Sequence, residues 1–514
     1  MKKIILLNTA ILFAFCNVLY SQKLKWNPEI EKNNGFGGGQ FFCGVVNGSA
    51  YYAPSIFFLI EYPQNAMPIL HRTQYSKIYT KEVHADFNGA FIIDNELKSI
   101  YKVYNTSNTI TGFSMQMVSC DLKGNVKNTT ELFNIPEKKI SLSQANENMT
   151  HPDRFFDESS KFIVMRLSSN GKFMGLLFKN EIYLYDTKDF KKVKTIAFKE
   201  PICDLKKGTR SNLYMVLDNG DVVTIQNVFS QNSGYGYSPE LSCESESVKY
   251  KVMEHNSEIL LPITITRYYL SDSGTDQIQI PTINGQNNYG LVYKLSNDNK
   301  TLYISTNYGV ERIKSKGMFR GSTLGLRSKG VSLTKIDLGK MEISDSKSIE
   351  LDQGIMTKSA KNSEKGIRGM LISDILEQGN DTYVTAFNEG VINSAIIVKF
   401  SDKKPLQKMV QFKNAYNHKD KESTSYFNKV LGISSLINNN NLYLFYNVGF
   451  LNDQELNVVK FNVDLEILNK VKFKQLKHMD TKLENQEIHK LENNKYFIKG
   501  VGYKHIGSAI LDLD

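Results

Sequence analysis

The chain has 514 residues, of which 41% are hydrophobic and 23% are charged. This length exceeds what one small core needs, and the composition is that of a folded protein, which argues against a disordered chain. The formal net charge is +10, yet only nine of the 63 basic residues are arginine. Nucleic-acid readers cluster their charge and use Arg for bidentate base contacts. Scattered Lys therefore argues against nucleic-acid binding and favours a solvated surface, with weak attraction to anionic cell-surface material left open.

The N-terminus has the pattern of an export signal. Lys2 and Lys3 precede an apolar stretch, and Ser21 provides a small residue before Gln22. Residues 1–21 are therefore predicted to be a secretory signal peptide. The apolar stretch is shorter than the roughly 18 residues needed to span a bilayer, so a membrane anchor is disfavoured, and Phe15 disfavours acylation at Cys16. The predicted location is periplasmic, outer-surface or extracellular, with no transmembrane segment in the mature chain.

The stretch from Ser168 to Phe198 organises the rest of the chain. An apolar run at Phe173 to Phe178, a second run at Ile182 to Tyr185 and an alternating run around Val193 predict three consecutive short strands. With its Ser-Asn-Gly-Lys and Tyr-Asp-Thr-Lys turns, this stretch resembles a blade of a WD40-like or YVTN-like β-propeller. The resemblance concerns architecture and points to no specific family. Because propellers carry many unrelated functions, it implies no activity.

A unit of two strands joined by a polar turn recurs along the chain. The residues that open the turn are separated by 65, 151, 64 and 61 positions, and 151 is close to two units. They are Asp121, Asp186, Asp337, Ser401 and Asn462. Each unit follows a strand pair with an Asn, Asp or Gly turn, which predicts a β-hairpin because such turns need residues that tolerate positive φ. Four strands per unit is what a propeller blade requires.

The expected fold is all-β, a single β-propeller of about seven four-stranded blades, with six or eight as alternatives. The period exceeds that of WD40 repeats, so long blade-connecting loops are expected. The four candidate insertions are Ser230 to Ser247, Gly317 to Gly330, Lys358 to Gly369 and Asn414 to Asn428.

The expected domains are an N-terminal lead-in at residues 22–39 and a propeller at residues 40–514, closed by pairing of N- and C-terminal strands. The last repeat stops at Asp512 to Asp514, after its penultimate strand. Gln40 to Val46 is the best candidate for the missing outer strand, because closure would hide two sheet edges. His151 to Phe162 and Lys482 to Leu491 are expected to form one or two helical turns each.

Four cysteines remain in the mature chain, in a compartment that permits disulfides. Cys43 and Cys120 lie in strand-like runs, where a buried thiol is expected. Cys243 lies in a polar loop, and a bridge to Cys203 is weakly preferred. The spacing leaves the other pairings open.

Several short motifs were compared with known chemistry. Asn33 to Gln40 is glycine-rich but lacks the flanking elements and Lys-Ser/Thr pair of a phosphate loop. Asp272 and Asp276 in SDSGTD allow a weak calcium loop, although a plain polar turn is favoured. Asn170 and Asp298 lie in segments that faintly resemble the Asp boxes of sialidases, which are structural turns.

Catalytic signatures are missing from the sequence. Ser332 and Lys335 form an SxxK without its companion motifs, and the eight histidines form no HExxH. No metal site or cofactor is expected, and the sequence leaves the catalytic and ligand-binding residues unknown.

The favoured function is a secreted, non-enzymatic propeller scaffold that binds a protein or cell-envelope component through its loops. The chain is expected to be a monomer. The alternative is a hydrolase or lyase that acts on extracellular polysaccharide or peptide, with a site in the central channel. Such a site needs side chains that converge from distant blades, which leaves no local motif.

Overall fold

The structure is a computed structural model. It describes residues 23–27, 30–31, 41–55, 58–64, 69–72, 85–107, 109–141, 164–178, 181–197, 204–205, 214–226, 241–242, 263–283, 288–309, 327–352, 355, 367–368, 370–388, 394–402, 405–411, 433–448, 455–474, 482–492, 494–501 and 505–513. The predicted signal peptide, the glycine-rich segment Asn33 to Gln40, the pair Cys203 and Cys243, the segment His151 to Phe162 and most of the four candidate insertions lie outside these residues.

The elements with defined bounds in the described chain are 37 β-strands. They form an all-β, single β-propeller with eight four-stranded blades. Blade 1 consists of Phe41–Val46, Ser49–Ser55, Phe58–Tyr62 and Ile69–Arg72, and blade 2 of Ala85–Ile93, Glu96–Ser107, Thr109–Asp121 and Val126–Ser141. Blade 3 consists of Val164–Leu167, Phe173–Phe178, Glu181–Asp186 and Lys192–Ala197. Blade 4 consists of Tyr214–Val216, Val222–Gln226, Ile263–Tyr268 and Thr275–Ile280.

Blade 5 consists of Asn288–Leu295, Thr301–Tyr308, Gly330–Asp337 and Glu342–Glu350. Blade 6 consists of Met370–Gln378, Asp381–Asn388, Ser394–Phe400 and Leu406–Gln411, and blade 7 of Ile433–Asn438, Asn441–Val448, Glu455–Phe461 and Ile467–Lys474. Blade 8 is Lys482–Lys490, Lys495–Val501, His505–Asp512 and Lys23–Trp26, with Ile30–Glu31 also paired to His505–Asp512. Two small sheets pair Asp204–Leu205 with Leu241–Ser242 and Arg327–Ser328 with Ile367–Arg368.

The chain divides into two compact units. One comprises Met1–His71 and Lys413–Asp514, and the other Arg72–Phe412. The first unit contains blades 1, 7 and 8, and the second contains blades 2 to 6. Within each unit, neighbouring blades share apolar cores, such as the cluster that joins Tyr443 of blade 7 to Ile498 of blade 8.

The first hairpin of several blades has the turn chemistry that the sequence predicts. Asn47 and Gly48 have φ values of 49° and 75°, Asp94 has 52°, and Asn439 has 48°. Two-residue hairpin turns of type I′ need positive φ at both central positions, which Asn, Asp and Gly tolerate best. The hairpin signals are therefore confirmed at these turns.

The predicted turn-opening residues also occupy one equivalent position. Asp121, Asp186 and Asp337 are the last residues of a third strand, and Ser401 and Asn462 directly follow one, so all five begin the turn to the fourth strand. The carboxylate oxygen Oδ1 of Asp121 accepts hydrogen bonds from the Lys123 and Asn125 amides at 2.9 Å, and Oδ1 of Asn462 accepts from Asp464 at 3.0 Å. The interval of 151 residues contains one complete blade, blade 4.

The number of blades is eight, which is one of the predicted alternatives, rather than the favoured value of about seven. Blade lengths vary, since blade 1 fits within Phe41 to Arg72 whereas blade 5 occupies Asn288 to Glu350. Dividing the chain length by the longer period therefore underestimates the number of blades, because the blades near either end of the chain are shorter than that period.

The outer strand of blade 8 is not the segment that the sequence favoured. Lys23–Trp26 pairs antiparallel with His505–Asp512, from Lys23 opposite Asp512 to Trp26 opposite Ala509. Phe41–Val46 instead begins blade 1 and pairs with Ser49–Ser55. The sequence KLKW is short and half-charged, so its strand character comes from pairing with a free sheet edge rather than from its own apolar pattern.

The expected helical turns at Lys482 to Leu491 are also corrected, because Lys482–Lys490 is the first strand of blade 8. Its Leu, Glu, Gln and Lys residues favour helix by propensity. Packing of Leu483 and Ile488 into the core of blades 7 and 8 overrides that preference, and a register shift lies between these two residues.

Candidate functional site

The first strand of each blade lies innermost and the fourth lies at the rim. The fourth strands are the most exposed, as the alternating exposure of Glu342–Glu350 shows, whereas Tyr214–Val216 is entirely buried. In a propeller the innermost strands surround the central channel, which is where ligand sites of this fold can form. Polar side chains on the first strands of blades 3 to 6, in the second unit, are therefore candidates for a ligand site.

A cluster of ionisable groups lies where blade 5 meets blade 6. Asp374 and Glu377 belong to the first strand of blade 6, and the ammonium group of Lys294, on the first strand of blade 5, interacts electrostatically with both carboxyl groups. The hydroxyl of Tyr303, on the second strand of blade 5, shares a hydrogen bond with Glu377. The Nζ of Lys335 lies 5.7 Å from the centre of the Tyr303 ring. The cluster contains two acids, two bases and a phenol.

Burial has the largest effect on the pKa of both acids. It raises the pKa of Asp374 to about 6, with Lys294 and the Ile375 amide, which donates to Oδ1 at 2.8 Å, acting in the opposite direction. Burial also raises the pKa of Glu377, again offset by Lys294 and Tyr303. Its Oε1 atom is buried and makes no hydrogen bond within the described residues. Asp374 is therefore a carboxyl group that exchanges its proton close to neutral pH.

A second group of polar side chains joins blades 3, 4 and 5. The guanidinium of Arg166, on the first strand of blade 3, donates a hydrogen bond to Tyr293 on the first strand of blade 5. The hydroxyl of Tyr214, on the intervening blade 4, donates to the Gly175 carbonyl at 2.7 Å. Burial raises the pKa of both tyrosines. These phenols are held as hydrogen-bonded neutral groups, which is a structural use rather than that of a general base.

The turns between first and second strands of the same three blades are also tied together. The Asn170 amide donates to Oδ1 of Asp218 at 2.8 Å, and the Asn299 side chain donates to Oδ2 of the same carboxylate. The Ser169 hydroxyl of blade 3 reaches Oδ1 of Asn299 in blade 5 at 3.2 Å. One carboxylate, that of Asp218, thus links three successive turns.

A third polar cluster lies on blade 1, in the first unit. Glu61 accepts a hydrogen bond from the Ser49 hydroxyl at 3.1 Å through Oε1, and its Oε2 is 3.1 Å from Nε2 of His71. Burial, reinforced by the Glu61 carboxylate, raises the pKa of Tyr51 to about 12. The carboxylate stands between the hydroxyl and the imidazole. This order differs from a nucleophile–base pair, in which the serine would bond directly to the histidine.

Asp272 lies in the turn between the third and fourth strands of blade 4, and Asp276 is the second residue of the fourth strand. Oδ1 of Asp272 accepts from the Gly274 amide at 2.6 Å, and the Tyr269 hydroxyl bonds to Asp276. The favoured interpretation, a plain polar turn, agrees with these contacts. Within the described ranges no three potential metal ligands come together.

Asn170 and Asp298 occupy the same turn in blades 3 and 5. Oδ1 of Asn170 accepts from the Lys172 amide at 2.9 Å, and Oδ1 of Asp298 accepts from Lys300 at 3.1 Å. Each also bonds to the serine two positions earlier, Ser168 or Ser296, at 2.8 Å and 2.6 Å. Both are structural turns, as the sequence indicates.

The remaining motif residues lie within strands of the blades. The buried Ser332 bonds to Oγ1 of Thr306 at 2.7 Å, while the half-buried Lys335, three residues further along the strand, lies by Tyr303. The SxxK motif is therefore a pair of strand residues. Cys43 and Cys120 are buried, as their strand context predicts, and burial raises the pKa of Cys43 to about 12.

Sequence reasoning did not single out Lys294, Asp374 or Glu377. Each is an isolated charge in an otherwise apolar first strand, NYGLVYKL or MLISDILEQ. A charged residue inside a predicted buried strand is a usable signal, because such a group is rarely enclosed without a partner. Residues from two different blades, however, meet without any fixed separation in the sequence, so no short motif reveals that they lie together.

The comparisons with known proteins identify no family for this chain. No family model matches the chain, and no curated protein matches it either. Among solved structures, the β-propeller domain of Nup133 from Vanderwaltozyma polyspora is 9% identical, with 84% of this chain and 98% of that chain covered and a TM-score of 0.35. The β-propeller domain of the trilobed protease from Pyrococcus furiosus is 6% identical, with 83% and 95% covered and a TM-score of 0.34. The polysaccharide lyase Uly1 is 9% identical, with 95% and 100% covered and a TM-score of 0.38.

Within the portion of the chain that the structure describes, there is no helix with the length and hydrophobicity required to cross a membrane.

Proposed function

We propose that this protein is an exported, non-enzymatic propeller that binds a protein or cell-envelope component through its outer surface and loops, as a monomer. The observation that carries this proposal is the structural use of the polar groups inside blades 3 to 5. Tyr214 bonds to the Gly175 carbonyl, Arg166 bonds to Tyr293, and Asp218 joins three turns. Groups committed to such contacts are not available to a substrate.

The charge distribution supports an acidic partner. The net charge is +10, and exposed lysines recur on the rims of several blades. Lysine ammonium groups on long, flexible stems attract anionic surfaces without the fixed geometry that arginine provides. A rigid scaffold with a basic exterior suits an acidic protein or envelope polymer.

The test is incubation of the chain from Gln22 onward with a panel of polysaccharides and peptides. No turnover is expected. Turnover of any substrate that disappears in a D374N variant overturns the non-enzymatic proposal and supports a hydrolytic one.

One observation favours a second candidate function, a hydrolase or lyase with its site on the inner strands of blades 5 and 6. Asp374 has a pKa of about 6, Glu377 lies three residues further along the same strand, and Lys294 interacts electrostatically with both. A carboxyl group that holds its proton near neutral pH can act as a general acid beside an ionised partner. In that case activity depends on pH around 6, and D374N abolishes it while an exposed variant such as D298N does not.

Export is proposed from the sequence pattern of residues 1–21 alone. Expression in a Gram-negative host followed by fractionation is expected to yield a processed chain outside the cytoplasm. A full-length chain retained in the cytoplasm contradicts export.

A further inference from the structure

The rim of blades 7 and 8, in the first unit, combines a row of lysines with an unpaired sheet edge. Lys470, Lys472 and Lys474 alternate along Ile467–Lys474 and are all exposed. Residues at alternate positions of a strand lie on one face, about 6.6 to 6.8 Å apart. Ile467–Lys474 ends the order of its sheet, so within the described chain no strand covers its outer edge.

The neighbouring blade continues this basic surface. Lys23 and Lys25 are the exposed residues of the fourth strand of blade 8, where they alternate with the half-buried Leu24 and Trp26. Leu24 and Trp26 share an apolar cluster with Phe473 of blade 7, which brings the two rims together.

No acidic residue lies within Ile467–Lys474 itself, although Asp464 and Glu466 precede it in the turn. Glu455 contacts Lys472 at 3.7 Å, and Asp512 lies opposite Lys23 in the sheet. The Nζ of Lys470 lies 5.8 Å from the centre of the Tyr446 ring. The rim therefore keeps an excess of positive charge along the edge strand.

The edge strand also begins with its apolar side chains in solvent. Leu468 is 54% exposed and Ile467 is 50% exposed, the two highest values among the large apolar residues of the described chain. Lysines on an edge strand protect against aggregation, which alone explains a charged row. Two exposed branched side chains beside that row work against such protection and favour a surface that receives a partner.

We propose that the edge strand Ile467–Lys474 binds an acidic peptide segment in extended conformation, which adds to blade 7 as a further strand. Backbone groups on a free edge bind an added strand by hydrogen bonds, and alternate side chains set the specificity. An extended peptide with carboxylates at every second residue matches the spacing of the lysines, and an apolar residue at one end meets Ile467 and Leu468. This inference rests on the proposed binding function and names its partner chemistry.

The probe is a fluorescent peptide of alternating Glu and Thr, titrated into the chain from Gln22 onward. The triple variant K470Q/K472Q/K474Q is expected to weaken binding about ten-fold or more, because three ion pairs with the peptide are lost. A matched control, K123Q/K188Q/K340Q, removes the same charge from exposed turns of other blades and leaves the affinity within about two-fold.

Strand addition is distinguished from simple charge attraction by two further measurements. A peptide with Pro in place of Thr keeps the charge but loses every second backbone N–H donor and the ability to pair as a regular strand, and it is expected to bind at least ten-fold more weakly. Backbone amides of Ile467–Lys474 gain protection from hydrogen exchange when the alternating peptide is bound.

The strand-addition proposal is overturned if the Pro peptide or a polygalacturonate of equal charge binds as tightly as the alternating peptide. Equal weakening by the two triple variants also overturns it. Either result leaves the proposed binding function standing, because that function fails only if the substrate panel reveals turnover.

Discussion

Burial of Asp374 makes the native state hold a proton that the unfolded chain releases. Its pKa of about 6 lies above the ordinary value of 3.8. Between these values the native state binds more protons, so stability falls as pH rises from about 4 to about 6, and the loss approaches 3 kcal/mol above pH 6. The D374N variant lacks this loss and is expected to gain stability relative to the wild type as pH rises from 4 to 7, measured by urea unfolding.

The matched control for this prediction is D298N. The Ser296 hydroxyl lowers the pKa of the exposed Asp298, so its contribution is present above the ordinary pKa and is lost as pH falls. The two variants should therefore shift the pH profile in opposite directions. Parallel profiles for D374N and the wild type contradict burial of this carboxyl group.

Gly175 allows blades 3 and 4 to approach closely. A Cβ atom at this position would lie 2.9 Å from Cε2 of Tyr214 and 2.9 Å from Cγ2 of Val216. The G175A variant is expected to lose about 1 to 3 kcal/mol of stability because a packed core cannot absorb the added methyl group. In the control G274A the new methyl group meets only the solvent-exposed carboxylate of Asp272, and thermal unfolding should change little. Equal losses for the two variants contradict the packing argument.

At the scale of elements, one contact recurs between neighbouring blades: an asparagine side chain donates a hydrogen bond to a backbone carbonyl of the next blade, an arrangement called here the asparagine clasp. Nδ2 of Asn307, at the end of the second strand of blade 5, donates to the Met370 carbonyl of blade 6 at 2.9 Å. Nδ2 of Asn447 makes the same bond from blade 7 to the Leu483 carbonyl of blade 8, also at 2.9 Å. Both sit in an Asn-x-Gly pattern that occurs again at positions 388–390.

Removal of either clasp leaves a buried carbonyl without its donor. The N307A and N447A variants are each expected to lose about 1 to 3 kcal/mol, measured by chemical unfolding. Asn128 is exposed on the rim of blade 2, so N128A serves as the control and should match the wild type. Wild-type stability of both clasp variants would show that the bonds are not needed.

The repeat was readable from the sequence because its chemistry is local. Tyr303 faces Lys335, Tyr383 faces Lys399 and Tyr443 faces Lys460 across paired strands, and each lysine lies two positions before the turn-opening residue. Cross-strand pairs of this kind, with the ammonium over the ring, contribute about 0.2 to 1 kcal/mol each. The period and the hairpins were therefore predictable.

The other elements depend on distant partners. Lys482–Lys490 becomes a strand through packing, and Lys23–Trp26 becomes one only beside the edge of His505–Asp512. Asp374 and Lys294 meet because successive blades stack, which no short motif encodes. The fold class and the charges within apolar strands could therefore be recognised from the sequence, but the convergence of those charges into one site could not.

At the scale of the whole molecule, the outer strand of blade 8 decides whether an edge is exposed. Deletion of Lys23–Trp26 uncovers His505–Asp512 and removes Leu24 and Trp26 from the apolar cluster of blades 7 and 8. The deletion variant is expected to melt at a lower temperature and to aggregate. The control K23Q/K25Q keeps the strand and should melt like the wild type. A deletion variant that stays monomeric with an unchanged melting temperature contradicts this role.

The same pairing has a consequence in time. Asn27 donates its side-chain hydrogen bond to Ser508, which follows it by 481 residues. A ribosome that adds 5 to 20 residues per second needs roughly 25 to 95 s to make the chain between them. Throughout that interval Lys23–Trp26 lacks His505–Asp512 as its partner, so blade 8 can be completed only after the last strand has been synthesised.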